Sequence, residues 1–61
     1  MTAKQVIKII EADGWRLDRQ KGSHMTFKHP LKNGNVTVPY HANRDLKRGT
    51  LNGILKQAGL Q

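Results

Sequence analysis

The fold of this chain is decided by residues 14–28, which read GWRLDRQKGSHMTFK. Apolar and polar residues alternate over residues 15–19 and again over residues 24–28, and such alternation is typical of half-buried strands. Residues 21–23, Lys-Gly-Ser, predict a turn between them. We therefore expect two antiparallel strands, the second with Met25 and Phe27 on one face and His24, Thr26 and Lys28 on the other.

The two ends of the chain carry the periodicity of amphipathic helices. Thr2 and Gln5 have the spacing of a capping box, an apolar stripe follows, and Gly14 is a natural stop, so the first helix is predicted over about residues 3–13. A second stripe over residues 51–58 predicts a helix that begins between residues 46 and 50 and ends before Gly59.

A third strand is predicted over residues 36–40. Asn33-Gly34 ahead of it is the strongest short hairpin signal in the chain, and Pro39 favours a sheet edge or a strand end. The single domain, residues 1–61, is thus α+β with the order α-β-β-β-α, two helices on one face of a three-stranded antiparallel sheet. This order resembles the double-stranded RNA-binding domain. The residues expected to face the helices are Trp15, Leu17, Met25, Phe27, Val36, Val38 and Tyr40.

Charge is the first indication of function. Eleven Lys and Arg against four Asp and Glu give a formal net charge of +7, which attracts polyanions. The chain has no cysteine, so disulfides and thiolate metal sites are excluded, and a core this small often depends on a partner. No segment suits a signal peptide, a membrane span or a membrane surface. We expect a cytoplasmic protein that binds nucleic acid or an acidic protein.

Histidine is the candidate for acid–base chemistry. Phosphate-loop, dinucleotide and zinc-protease motifs are absent, and the carboxylates are not paired, which disfavours two-metal nuclease chemistry. We expect no metal, cofactor or small-molecule ligand. His24 projects from the open sheet face, where an imidazole can move a proton near neutral pH. Strand pairing could bring His41 beside it, whereas His29 before Pro30 is expected in a turn. An ordinary surface histidine is the alternative for His24.

The residues expected to contact a phosphate chain form two clusters: Arg19, Lys21, Gly22, Ser23 and Lys28 around His24, and Arg44, Lys47 and Arg48 at the start of the second helix. Cations at a helix N-terminus oppose the helix dipole, so the second cluster is best explained by a passing polyanion. A solvated basic face is the alternative.

Motifs spread over nearly the whole chain resemble the HicA toxin family of small mRNA interferases. They are Asp13-Gly14-Trp15, Gly22-Ser23-His24, His29-Pro30, and residues 37–41 (TVPYH), 49–51 (GTL) and 54–60 (ILKQAGL). The resemblance implies a double-stranded RNA-binding-like fold and a toxin of a type II toxin–antitoxin module that cleaves mRNA and blocks translation. It also implies a HicB-type antitoxin as partner and His24 as the catalytic residue.

The function expected from the sequence is therefore a metal-independent endoribonuclease acting on mRNA. His24 would be the general base for the ribose 2′-hydroxyl or the general acid for the leaving 5′-oxygen, with His41 a candidate auxiliary residue. A non-catalytic RNA-binding module of the double-stranded RNA-binding type is the alternative. An adaptor for an acidic protein, with no role in nucleic-acid binding, is a third hypothesis.

Overall fold

The computed structural model describes all 61 residues, which form two helices and one three-stranded antiparallel sheet. The elements are α1 (Ala3–Asp13), β1 (Arg16–Lys21), β2 (His24–Lys28), β3 (Val36–Pro39) and α2 (Arg48–Gln57). The α+β class and the predicted order α-β-β-β-α are confirmed. The spatial order is β1-β2-β3, so β2 is the central strand. No helix has the length and apolar character needed to cross a membrane.

Both ends of α1 are closed as the sequence predicts. The Thr2 hydroxyl accepts the backbone N–H of Gln5 at 3.2 Å, and the Gln5 side chain accepts the backbone N–H of Thr2 at 2.9 Å. Gly14 then ends the helix with φ +117°, and its N–H donates to the Glu11 carbonyl at 3.0 Å. These caps satisfy amide and carbonyl groups that a helix terminus otherwise leaves open.

The core lies between the two helices and one face of the sheet. Its ten buried residues are Ala3, Val6, Ile7, Ile10, Trp15, Phe27, Val36, Val38, Ile54 and Ala58. Met25 and Tyr40 are partly buried against this cluster. Leu17 lies on the same face as its partner Phe27, as predicted, but the helices leave it largely uncovered and it is 48% exposed. β1 is an edge strand that pairs only with β2, whereas both helices pack against β3.

The opposite face of the sheet is uncovered, and its composition depends on a β-bulge in β1. Leu17 pairs with Phe27 but Arg19 pairs with Thr26, so Asp18 is an extra residue without a partner. Residues paired across strands share a face. We call the uncovered side the open face, and it consists of Arg16, Arg19, Lys21, His24, Thr26, Lys28, Thr37 and Pro39.

The connection between β2 and β3 spans residues 29–35 and contains Asn33-Gly34, as the predicted strand limits require. His29 and Lys32 hold this connection against the ends of the helices: the His29 ring contacts the Asp13 carbonyl, and the Lys32 ammonium contacts the Ala58 carbonyl. A two-residue turn, Gly22-Ser23, joins β1 to β2.

Candidate active site

His24 is the first residue of the central strand and is exposed on the open face. Its neighbours are Lys21 on β1 and Pro39 on β3. The hydrogen-bonded histidine ring nitrogens in this chain are those of His29, so both nitrogens of His24 are open to a ligand. An imidazole in this setting is available to accept or donate a proton.

The backbone around His24 is held from both sides. Gly22 begins the two-residue turn between Lys21 and His24 with φ +58°, a conformation that glycine adopts without steric cost. On the other side the Ser23 carbonyl accepts the backbone N–H of Tyr40 at 2.6 Å, which extends the pairing beyond the end of β3. The position of His24 is therefore fixed by the sheet, while its side chain stays free.

The cations of the open face differ in what they contact. The Lys28 ammonium lies 3.9 Å from the Asp18 carboxylate. The Arg16 guanidinium donates to the carbonyls of Glu11 at 2.9 Å and Trp15 at 2.8 Å, so it closes the C-terminal end of α1. Arg19 and Lys21 are exposed and contact no carboxylate. The structure thus places all three predicted basic residues of this cluster on the face of His24 and adds Arg16, whose role the sequence alone does not indicate.

The second predicted cluster surrounds a hollow beside Pro39. His24 lies opposite Pro39 and not opposite His41, which follows two residues later beyond the end of β3. The hollow has a volume of about 340 Å³ and is lined by Pro39, His41, Arg44, Lys47 and Thr50, together with Asp45 and Leu46. Pro39 thus belongs both to the hollow and to the open face, where it pairs with His24.

The start of α2 carries no acidic residue and no side-chain cap. Lys47 is the N-cap in an extended conformation, its side chain makes no capping hydrogen bond, and the exposed Arg48 is the first helical residue. The sequence-predicted site residues are therefore all at the surface, except that Ser23 is half-buried by the turn.

His29 has the opposite surroundings, with a side chain only 7% exposed. Its Nδ1 accepts the backbone N–H groups of Leu31 at 3.0 Å and Lys32 at 3.2 Å. A nitrogen that accepts two hydrogen bonds carries no proton, so the proton is on Nε2, which donates to the Asp13 carbonyl at 2.8 Å. The ring also packs edge-on against Trp15 with centroids 5.2 Å apart. His29 is a structural residue.

The Asp13 carboxylate lies beside a lysine that changes its pKa. The Lys32 ammonium donates to its carboxylate at 2.6 Å, and this hydrogen bond lowers the pKa of Asp13 below its ordinary value. Partial burial acts in the raising direction, and the charge of Lys32 adds to the lowering. This carboxylate lies at the C-terminal end of α1, beside His29 and Lys32. No group of three or more His, Asp or Glu side chains is arranged to hold a metal ion.

Fold and surface together define a small basic α-β-β-β-α domain that carries an exposed histidine among cations on an uncovered sheet. Residues 3–60 match the family model described as HicA toxin of bacterial toxin–antitoxin modules. The chain belongs to the HicA toxin family, and it is accordingly a toxin with a cognate antitoxin as its partner. No curated protein matches the chain at a significant level.

Proposed function

We propose that this toxin is a metal-independent endoribonuclease that cleaves mRNA in the cytoplasm, with His24 as its catalytic residue. The observation that carries the proposal is an exposed imidazole, unpartnered within the chain, at the start of the central strand on a cationic sheet face in a member of the HicA family. The family generally cleaves mRNA. Blocked translation follows from the loss of intact message, and a HicB-type antitoxin is the proposed inhibitor.

The chemistry uses the nucleophile that RNA carries itself. The 2′-oxygen forms a bond to phosphorus while the bond from phosphorus to the 5′-oxygen breaks, which leaves a 2′,3′-cyclic phosphate and a 5′-hydroxyl. His24 takes the proton of the 2′-hydroxyl as general base, or gives a proton to the leaving 5′-oxygen as general acid. His41 is the candidate for the complementary transfer. DNA lacks the 2′-hydroxyl and is not a substrate.

The basic side chains of the toxin bind the phosphates of the RNA backbone. Arg19, Lys21 and Lys28 share the open face with His24, and Arg44, Lys47 and Arg48 lie at the hollow beside Pro39 and the start of α2. Gly22 and Ser23 have small side chains or none, which lets the RNA backbone approach the turn closely. Phosphate contacts by lysine and arginine release counterions, so affinity should fall steeply with rising salt.

The test compares wild type with His24→Ala on a labelled mRNA in excess EDTA, with RNA binding measured in parallel. We expect wild type to cleave and the variant to bind with similar affinity while its cleavage rate falls by about 100-fold or more. The cleaved ends should be a 2′,3′-cyclic phosphate and a 5′-hydroxyl, and a 2′-deoxy substitution at the cleaved nucleotide should abolish the reaction.

Two results would contradict the proposal in different ways. Products with a 5′-phosphate and a 3′-hydroxyl would refute attack by the 2′-oxygen. Equal binding by wild type and His24→Ala, with no cleavage by either, would instead establish a non-catalytic RNA-binding module.

A further inference from the structure

The β-bulge at Asp18 decides which cations share a face with His24. Without the extra residue, the pairing of Leu17 with Phe27 would continue as residue 18 with residue 26 and residue 20 with residue 24. Asp18 and Gln20 would then lie on the open face, and Arg19 and Lys21 on the other side. The bulge reverses this alternation over the second half of β1.

The cause of the bulge is a conflict between two fixed points. The two-residue turn at Gly22 and Ser23 sets Lys21 opposite His24, while at the other end of β1 Leu17 pairs with Phe27. Four positions of β1 separate these points but only three positions of β2, so one residue of β1 has no partner. A lysine is consequently held directly across from His24, at a Cα separation of about 5 Å for such pairs.

The other cations of the open face are further away or already engaged. Lys28 lies four residues from His24 along β2, about 13 Å at the usual rise of a strand, and its ammonium faces the Asp18 carboxylate at 3.9 Å. Arg16 is occupied by carbonyls at the end of α1. Arg19 is free but pairs with Thr26, one same-face position further from the turn. Lys21 is therefore the free cation adjacent to the histidine.

We propose that Lys21 stabilises the charge that develops on the scissile phosphate, as a second catalytic residue beside His24. This inference rests on the proposed ribonuclease activity and specifies how its transition state is stabilised. As the 2′-oxygen bonds to phosphorus and the 5′-oxygen departs, the ammonium of Lys21 donates hydrogen bonds to the non-bridging oxygens and keeps its own protons. His24 handles the transferred proton. Fixed donors aimed at developing charge need little reorganisation during the reaction.

The experiment compares Lys21→Gln with Lys28→Gln, a matched control that removes the same charge from the same face. Cleavage of a labelled single-stranded RNA gives kcat and KM for each full-length variant, and thermal unfolding confirms that both fold. We expect Lys21→Gln to lower kcat by about 100-fold with little change in KM, and Lys28→Gln to raise KM without lowering kcat. Lys21→Arg should retain most of the wild-type kcat.

A charge-relocation variant separates position from net charge. The double change Gln20→Lys with Lys21→Gln keeps composition and charge but moves the ammonium to the position opposite Met25, on the other side of β1. We expect its kcat to be as low as that of Lys21→Gln. Equal kcat values for Lys21→Gln and Lys28→Gln, or full activity of the relocated variant, would overturn the role of Lys21. The ribonuclease proposal would still stand if His24→Ala had lost cleavage. Absence of cleavage by wild type would overturn both.

Discussion

The two ends of β2 each carry a histidine, and the surroundings of these histidines are opposite. His24 opens the strand on the uncovered face and has no partner within the chain, whereas His29 follows its last residue and is 7% exposed with three hydrogen bonds. A ring whose nitrogens are both engaged has a fixed tautomer and cannot exchange a proton without losing contacts. A candidate catalytic histidine is therefore distinguished from a structural one by whether its ring nitrogens are free of hydrogen bonds within the chain.

His29→Ala tests the structural role of the histidine that follows β2. The change removes the donor to Asp13, leaves the amides of Leu31 and Lys32 without their acceptor and opens a cavity beside Trp15. We expect a loss of about 3 kcal/mol in the free energy of unfolding. Urea denaturation measures it, and His24→Ala is the control, with an expected change within about 0.5 kcal/mol. Similar losses for the two variants would erase the proposed division between the ends.

Gly14 tests how closely His29 packs. A Cβ at Gly14 would lie 2.7 Å from the His29 Nε2 and the residue has φ +117°, whereas Gly34, with φ +83°, has nothing within 4 Å of the same added atom. Gly34→Ala therefore measures the backbone cost alone, about 1 kcal/mol. We expect Gly14→Ala to cost about 2 kcal/mol more, since a rigid ring must shift. In a His29→Ala background that excess should disappear, and its persistence would show that another contact causes it.

The ionisation of Asp13 makes the stability of the fold depend on pH. The hydrogen bond from Lys32 lowers the pKa of Asp13 in the folded state below its unfolded value. Its ionised form therefore stabilises the fold at neutral pH, and this contribution is lost as pH falls through the lowered pKa. We expect Asp13→Asn to be less stable than wild type at pH 7 and the two stabilities to converge below about pH 4. Unfolding curves across pH measure this, and parallel curves would refute it.

Sequence periodicity was sufficient for the helices and for the covered face. The observed limits of α1 and α2 agree with those predicted from the capping box, the Gly14 stop and the two apolar stripes. These signals act over a few residues, so the local sequence contains them in full. Alternation in β2 correctly placed His24 and Lys28 on the same side. Local alternation is thus sufficient to predict which residues of β2 lie on the open face.

The errors arose where distant contacts decide the structure. No local pattern indicates that His29 and Lys32 contact groups far away in sequence and so hold the connection over residues 29–35. Leu17 alternates like a core residue, but coverage by a helix depends on strand order, which alternation does not encode. The bulge at Asp18 could have been inferred by requiring the two-residue turn and the pairing of Leu17 with Phe27 together.

The smallest expected effect concerns Leu17, which marks where the covered side of the sheet ends. It lies opposite Phe27, yet Phe27 is fully buried and Leu17 is 48% exposed. Phe27→Ala should cost about 3–5 kcal/mol, whereas Leu17→Thr, which keeps a residue suited to strands, should change stability by no more than about 0.5 kcal/mol. Urea denaturation at two protein concentrations measures both. A loss above about 2 kcal/mol that grows with concentration would mean that a second copy covers the edge of β1. In that case the edge of β1 would be buried between two copies of the chain, as His29 is buried within one copy. The open face around His24 would then be the exposed part of the sheet.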